Sequence, residues 1–220
     1  MERLEGELED LKKRVLEIAS LAEEAISLSI KGLKKRDPNI LKGVYEREEK
    51  INHLQMEIDE MGLMILALRQ PVAADLRFVV SSMKINNEIE RIGDEAINIA
   101  ERAEYLLSKP PLKPLIDIPK MAEIAQSMVM DSIKSLLEKN VSLAKAVRER
   151  DDEVDNLRDQ IFRELLTYMM EDSGNVKRAM ALISVARYIE RIGDHATNIA
   201  ENVTYMISGK DVRHPLRKQE

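Results

Sequence analysis

The 220-residue sequence has no cysteine and no tryptophan, and aromatic residues make up only 3% of it. The absence of cysteine excludes disulfides, thiolate metal sites and thiol nucleophiles. A bound metal would therefore need oxygen or imidazole ligands. Glycine and proline are also scarce, at 8 and 7 residues. What remains is rich in Leu, Ile, Met, Ala, Glu, Lys and Arg, which is the composition of a helical protein.

Basic residues are fewer than acidic ones, with 34 Lys and Arg against 40 Asp and Glu, so the net charge is negative. The basic runs are short, such as Lys34-Lys35-Arg36, so no nucleic-acid surface is expected. The longest apolar stretch, Ala179–Ala186 apart from one serine, is far below the roughly 18 to 20 residues that span a bilayer. The acidic first ten residues do not resemble a secretory signal. We therefore expect a cytoplasmic protein that meets membranes only through partners.

Apolar periodicity and proline positions predict the helices. From residue 4 to 25, apolar residues recur at alternating spacings of four and three, which indicates an amphipathic helix over about 2–35. Pro38 begins a second helix that ends near residue 69, and Pro71 begins a third that reaches about 108. The proline-rich segment that follows cannot continue a helix. Further breaks are predicted at 140–142 and 172–174.

The two halves of the chain are copies of each other. Residues 90–94, Glu-Arg-Ile-Gly-Asp, recur unchanged at 190–194, and 11 of 16 positions are identical through Tyr105 and Tyr205. Residues 47–52 align with 150–155 at an offset of 103. We predict an all-α fold of two tandem antiparallel three-helix bundles with six helices. The first repeat is 1–109, the linker 110–116, the second repeat 117–210, and a polar tail 211–220.

Four oxygen-bearing side chains share one narrow face of the third predicted helix, and the copy repeats them. Since successive helical residues turn by about 100°, each set lies within about 80°. The first set is Glu90, Asp94, Asn98 and Glu101. The second set is Glu190, Asp194, Asn198 and Glu201. No Lys or Arg interrupts either stripe, and acids four residues apart repel, so both stripes indicate a bound cation.

A second acidic element lies level with each stripe in an antiparallel hairpin. It is Glu48 and Asn52 in the first repeat, and Asp151 and Asp155 in the second. Three or four carboxylates would suit magnesium, manganese, iron or zinc. A solvated acidic face is the alternative. His195 adjoins the second stripe but lies off it, so ligation by His195 is disfavoured. The recurring Gly93 and Gly193 predict close helix approach.

These residues make the chain resemble the PhoU family of phosphate-transport regulators over nearly its full length. The specific matches are the segment Arg69–Arg77, residues 90–94 and residues 190–196. The resemblance implies two similar three-helix bundles side by side. It also implies surface metal clusters held by a motif of Glu or Asp followed four residues later by Asp. That motif is matched by Glu90 with Asp94, Glu190 with Asp194 and Asp151 with Asp155.

The pair Glu48 and Asn52 departs from this motif, so the first site is expected to bind fewer ions or to bind them more weakly. The resemblance implies a non-enzymatic regulator of the phosphate-starvation response that contacts the phosphate transporter ATPase and a sensor kinase. A homodimer is left open. Two other hypotheses are a carboxylate-bridged di-iron enzyme and a metal-free scaffold. The di-iron hypothesis is weakened because neither His195 nor His53 has a Glu three residues before it.

Overall fold

A computed structural model describes residues 2–212, so part of the predicted tail, 213–220, lies outside the described residues. The described chain is helical and carries no strand. The helices are α1 (Glu2–Lys35), α2 (Pro38–Arg69), α3 (Ala73–Leu107), α4 (Asp117–Glu138), α5 (Val141–Glu149), α6 (Asp151–Glu171) and α7 (Val176–Ser208). The fold class predicted from the sequence is confirmed.

The first three helices form one bundle, and its ends follow the local chemistry of the chain. Asp37 accepts a hydrogen bond from the Asn39 backbone N–H at 2.9 Å, which caps α2 at its predicted start. Gln70 adopts a left-handed conformation that ends α2, and α3 starts two residues beyond Pro71. The apolar face of α3, which includes Ile85, is fully buried against α1 and α2.

The second bundle contains α4, α7 and a middle helix that is interrupted. The sequence predicts one helix between residues 142 and 171, whereas the structure divides it at Arg150 into α5 and α6. The six predicted helices are therefore present, with α5 and α6 together forming the fifth. Asn140 caps α5 through the Leu143 backbone N–H at 3.1 Å. A short 3-10 turn, Ser173–Asn175, joins α6 to α7.

The two bundles meet through their third helices, because α3 packs along α7. The helices are antiparallel. Arg77, near the start of α3, donates to the Met206 carbonyl near the end of α7 at 3.1 Å. Glu88, further along α3, contacts His195, which is earlier in α7. This pairing places the middles of the two third helices, and hence both acidic stripes, at the same level of the molecule.

The linker between the bundles is held to both of them. Arg36 donates to the backbone carbonyls of Leu106, Leu107 and Lys109 at 2.6 to 3.0 Å, and so caps the end of α3. The side chain of Lys113 is only 7% exposed and pairs with Glu164 of α6. Over residues 2–212, no helix combines the length and apolar character that crossing a membrane requires.

Candidate metal centres

The second repeat gathers four carboxylates where α6 meets α7. Partial burial and the negative charges of Asp194 and Asp155 raise the pKa of Asp151 to about 6. Burial and the charges of Glu190 and Asp155 raise the pKa of Asp194. Such mutual shifts require carboxylates close enough to repel one another. The structure thus brings together Asp151, Asp155, Glu190 and Asp194, as the hairpin geometry predicts, and we call this group the second cluster.

The glycine of the repeated motif positions this cluster. A Cβ at Gly193 would lie 3.5 Å from the Asp151 Oδ1 atom and 3.6 Å from the Val154 side chain. Asp151 therefore rests directly over the α7 backbone. In the first repeat a Cβ at Gly93 would lie only 3.1 Å from Ile51 Cδ1. Of the two motif glycines, Gly93 therefore has the tighter contact with the preceding helix of its bundle.

A guanidinium lies against the second cluster, although no cation interrupts the acidic stripe in the sequence. The Arg158 Nη1 atom is 2.5 Å from Glu190 Oε1 and 3.1 Å from Asp155 Oδ1. Arg158 also pairs with Asp159 at 2.9 Å. The expectation of an uncompensated acidic pair is therefore wrong for Glu190. Arg158 comes from the neighbouring helix α6, and the helical wheel of α7 alone does not include it.

The first repeat has a smaller cluster at the equivalent position, formed by Glu48, Glu90 and Asp94. Burial, then the charge of Asp94 and that of Glu48, raise the pKa of Glu90. Asn52 donates its amide to the Glu48 carboxylate. The amide supplies a hydrogen bond where the second repeat has the Asp155 charge. We call this group the first cluster, and it carries one carboxylate fewer.

Neither cluster is arranged as a finished metal site. In the part of the chain from 2 to 212, no three His, Asp or Glu side chains are grouped so that they could hold a metal ion as they stand. The donors are nevertheless carboxylate oxygens on rotatable side chains, which hard cations prefer. The raised pKa of Asp151 shows that negative charge is costly there. A cation would relieve that cost, so the donor chemistry fits.

The far ends of both predicted stripes have other partners. Asn98 donates to Glu95 at 3.2 Å, and Asn198 donates to Glu88 at 3.0 Å. Glu201 pairs with Arg148 of α5 at 3.3 Å. Glu101 is exposed, and its charge is one of the influences that raise the pKa of Tyr45 to about 12, after burial and Glu104. These four stripe residues do not join the carboxylate pairs of the two clusters.

Their partners belong to a polar network between α3 and α7. His195 is only 7% exposed, and its Nδ1 atom lies 2.8 Å from Glu88 Oε2. Arg191 pairs with Glu95, which is 2% exposed, at 2.9 Å. Burial alone would raise the pKa of Glu88, but hydrogen bonds from His195 and Asn198 lower it. Periodicity within one helix does not reveal this network, because its partners lie on different repeats.

Two similar three-helix bundles, each with a carboxylate cluster between its middle and third helices, define a class of duplicated helical proteins with surface acid clusters. The PhoU domain family matches the chain twice, over residues 15–103 and 118–203. Both matches end within the third helix of their repeat. The chain therefore belongs to the PhoU family, and the resemblance inferred from its sequence is confirmed.

Known PhoU proteins are similar to this chain over nearly its whole length. The phosphate-specific transport system accessory protein PhoU homolog of Aquifex aeolicus is 44% identical over 218 residues, covering 99% of each chain. The crystal structure of PhoU from Pseudomonas aeruginosa has a TM-score of 0.91 and 36% identity, covering 94% of this chain and 99% of that one. A Streptococcus pneumoniae PhoU structure, with 24% identity and a TM-score of 0.87, covers 96% of this chain and 100% of that one. This likeness supports the fold.

Proposed function

We propose that this chain is a non-enzymatic, cytoplasmic regulator of phosphate transport that carries metal ions on its two carboxylate clusters. The observation that carries the regulatory role is the 44% identity, over 99% of both chains, to a relative named as a phosphate-specific transport accessory protein. A further relative of the same name, from Clostridium acetobutylicum, is 35% identical over 209 residues. Similarity over both repeats supports the same role here.

The metal part of the proposal rests on the clusters. Asp151, Asp155, Glu190 and Asp194 would hold a cation in the second repeat, and Glu48, Glu90 and Asp94 in the first. Magnesium, manganese, iron and zinc are the candidates that suit such oxygen donors. A bound ion would neutralise the crowded carboxylates and join the middle helix of each bundle to its third helix. The di-iron enzyme hypothesis is less favoured, because that chemistry uses inward-facing Glu-x-x-His motifs.

The proposed partners are the transporter ATPase and a sensor kinase. Exposed apolar side chains near the tips of both hairpins support a role in protein contact. Val72 is 74% exposed in the first repeat, and Met170 is 80% exposed in the second. Replacing Met170 by Glu should abolish co-purification with whichever of the two partners binds this tip, the ATPase or the kinase. The helical circular dichroism should stay unchanged. If neither partner is retained by the intact protein, the regulatory proposal fails.

The metal proposal is tested by elemental analysis of protein purified without chelator. Replacing Glu190 by Gln and Asp194 by Asn keeps side-chain size and removes two charges, so bound metal should fall sharply. The control replaces Glu5 and Glu9 by Gln, an exposed pair with the same spacing on α1. This control should retain the metal. Equal metal content in all three proteins would leave the clusters as solvated acidic faces on a scaffold.

A further inference from the structure

A groove of about 600 Å³ opens on the outer face of α6 and α7, beside the second cluster. Its apolar lining residues are Phe162, Ile183 and Ala186. Three guanidiniums line it, those of Arg158, Arg187 and Arg191. Arginine pairs readily with the oxygens of phosphate and carboxylate groups, since its planar fork presents two donors at once.

The three arginines differ in what they already bind. Arg158 pairs with Glu190, Asp155 and Asp159. Arg191 reaches across to Glu95. Arg187 is exposed, and its side chain makes no hydrogen bond or ion pair to any residue in the described range 2–212. Its guanidinium is therefore available to a ligand.

The first repeat shows what this surface is like without two of those charges, since Arg91 retains the third. At the offsets of the two repeats, Gln55 stands for Arg158 and Asn87 for Arg187. There the Gln55 side chain donates to Asn87 at 3.3 Å. Asn86, in place of Ala186, donates to Asp59 at 3.0 Å. Neutral amides thus span the crease between α2 and α3 in the first repeat.

The charges around the groove indicate when an anion can bind. The three guanidiniums are matched by three lining carboxylates, Asp159, Glu190 and Asp194, so the groove is close to neutral. A divalent cation on Glu190 and Asp194 would leave an excess of about two positive charges. It would also compete with Arg158 for Glu190 and so free the Nη1 donor of Arg158 from that carboxylate, while Asp159 still holds the guanidinium beside the groove.

We propose that this groove binds a phosphoryl oxyanion, with Arg187 as its principal ligand, when a cation occupies Glu190 and Asp194. The inference rests on the proposed metal function of the second cluster. The bound oxyanion and the cation stabilise each other, so each tightens the binding of the other by the same factor. The first repeat, with Gln55 and Asn87, lacks this anion site.

The experiment titrates Mn²⁺ into the full chain and follows free Mn²⁺ by electron paramagnetic resonance, with and without inorganic phosphate. Phosphate should tighten Mn²⁺ binding at the second cluster at least tenfold. Replacing Arg187 by Asn, the residue of the first repeat, should remove that enhancement and leave Mn²⁺ binding without phosphate no weaker. Replacing the exposed Arg163 by Asn removes the same charge outside the groove and should change neither measurement.

The outcomes separate the two proposals. If Mn²⁺ does not bind at all, the metal function fails. If Mn²⁺ binds but phosphate has no effect, or the Arg187→Asn protein responds like the wild type, only the oxyanion site is overturned. Sodium chloride at matched ionic strength must not reproduce the enhancement. Phosphoserine provides the second arm: a stronger effect than orthophosphate assigns the groove to a phosphorylated partner, and a weaker one assigns it to the free ion.

Discussion

The two repeats share a helical frame but differ in the charges that they place on it. In the first cluster Asn52 binds Glu48, and the crease beside it is spanned by amides. In the second cluster a fourth carboxylate is present, and Arg158 lies on Glu190. The duplicated apolar pattern preserves the bundle. The few positions that differ give one copy a higher density of both signs of charge, and hence a different capacity to bind ions.

The largest effect on stability is expected at the contact between the repeats, where the first contributes acids and the second contributes His195. Replacing His195 by Ala leaves the Glu88 carboxylate partly buried without its nearest partner. Such a loss costs about 2 kcal/mol. The free energy of unfolding in urea measures it. Replacing the exposed His53 by Ala is the control and should cost less than about 0.5 kcal/mol. Equal losses would contradict a special role for the interface.

Replacing Arg158 by Gln makes the second repeat resemble the first at this position. The competing guanidinium disappears from the second cluster, so Mn²⁺ affinity should rise about tenfold, which is about 1.4 kcal/mol. Calorimetric titration in the absence of phosphate measures it. The reverse change, Gln55→Arg, should weaken the first cluster. Unchanged affinity in the Arg158→Gln protein would mean that this arginine does not compete with the metal.

The two motif glycines provide a smaller test. Alanine is favoured over glycine in a helix by about 1 kcal/mol. At Gly193 the added Cβ would make ordinary contacts at 3.5 Å or more, so Gly193→Ala should stabilise the metal-free protein. At Gly93 it would lie 3.1 Å from Ile51, which must shift, so that gain should be cancelled or reversed. Thermal unfolding of the two variants gives the comparison. A larger gain at Gly93 would contradict the tighter packing there.

The smallest effect concerns pH. Asp151 has a folded pKa of about 6, above its ordinary value of 3.8. Ionised Asp151 is therefore less favourable in the folded protein than in the unfolded chain. The stability that its protonated form provides is complete below about pH 3.8 and is lost as the pH rises through 6. Asp151→Asn should raise the melting temperature of the metal-free protein at pH 7.5, and this advantage should vanish near pH 4. Asp152→Asn removes a neighbouring exposed acid as a control. An advantage that persists unchanged at pH 4 would contradict the shifted pKa.

The sequence predicts the helices well because their signals are local. Pro38 and Pro71 mark helix starts, and the cluster of prolines after residue 108 cannot be helical. The break at Arg150 is not predicted, since the residues around it have helical periodicity and no glycine or proline. Asn140 and Asp172 mark the ends of that interrupted helix correctly.

The candidate site is predicted only in part. The helical wheel of the third helix identifies Glu190 and Asp194. The equal distance from the interhelical turn identifies Asp151 and Asp155, which completes the second cluster. The same wheel includes Asn198, but α3 packs against that side and Glu88 binds the amide. Arg158 is also missed, because its side chain crosses from a different helix. The partner of Asn198 and the position of Arg158 both depend on contacts between helices, which spacing within one helix does not describe.

The antiparallel pairing of α3 with α7 also sets which halves can recognise each other. If two copies of the first repeat met through α3 in the same register, Glu88 of one would face Glu95 of the other, both of them acids. Two copies of the second repeat would bring Arg191 towards His195, with no carboxylate between them. The Glu88–His195 contact therefore forms only between unlike repeats, whereas Arg91, which stands where Arg191 does, could still pair with Glu95 between two first repeats. The interface thus favours unlike halves through His195, at one of its two charged contacts.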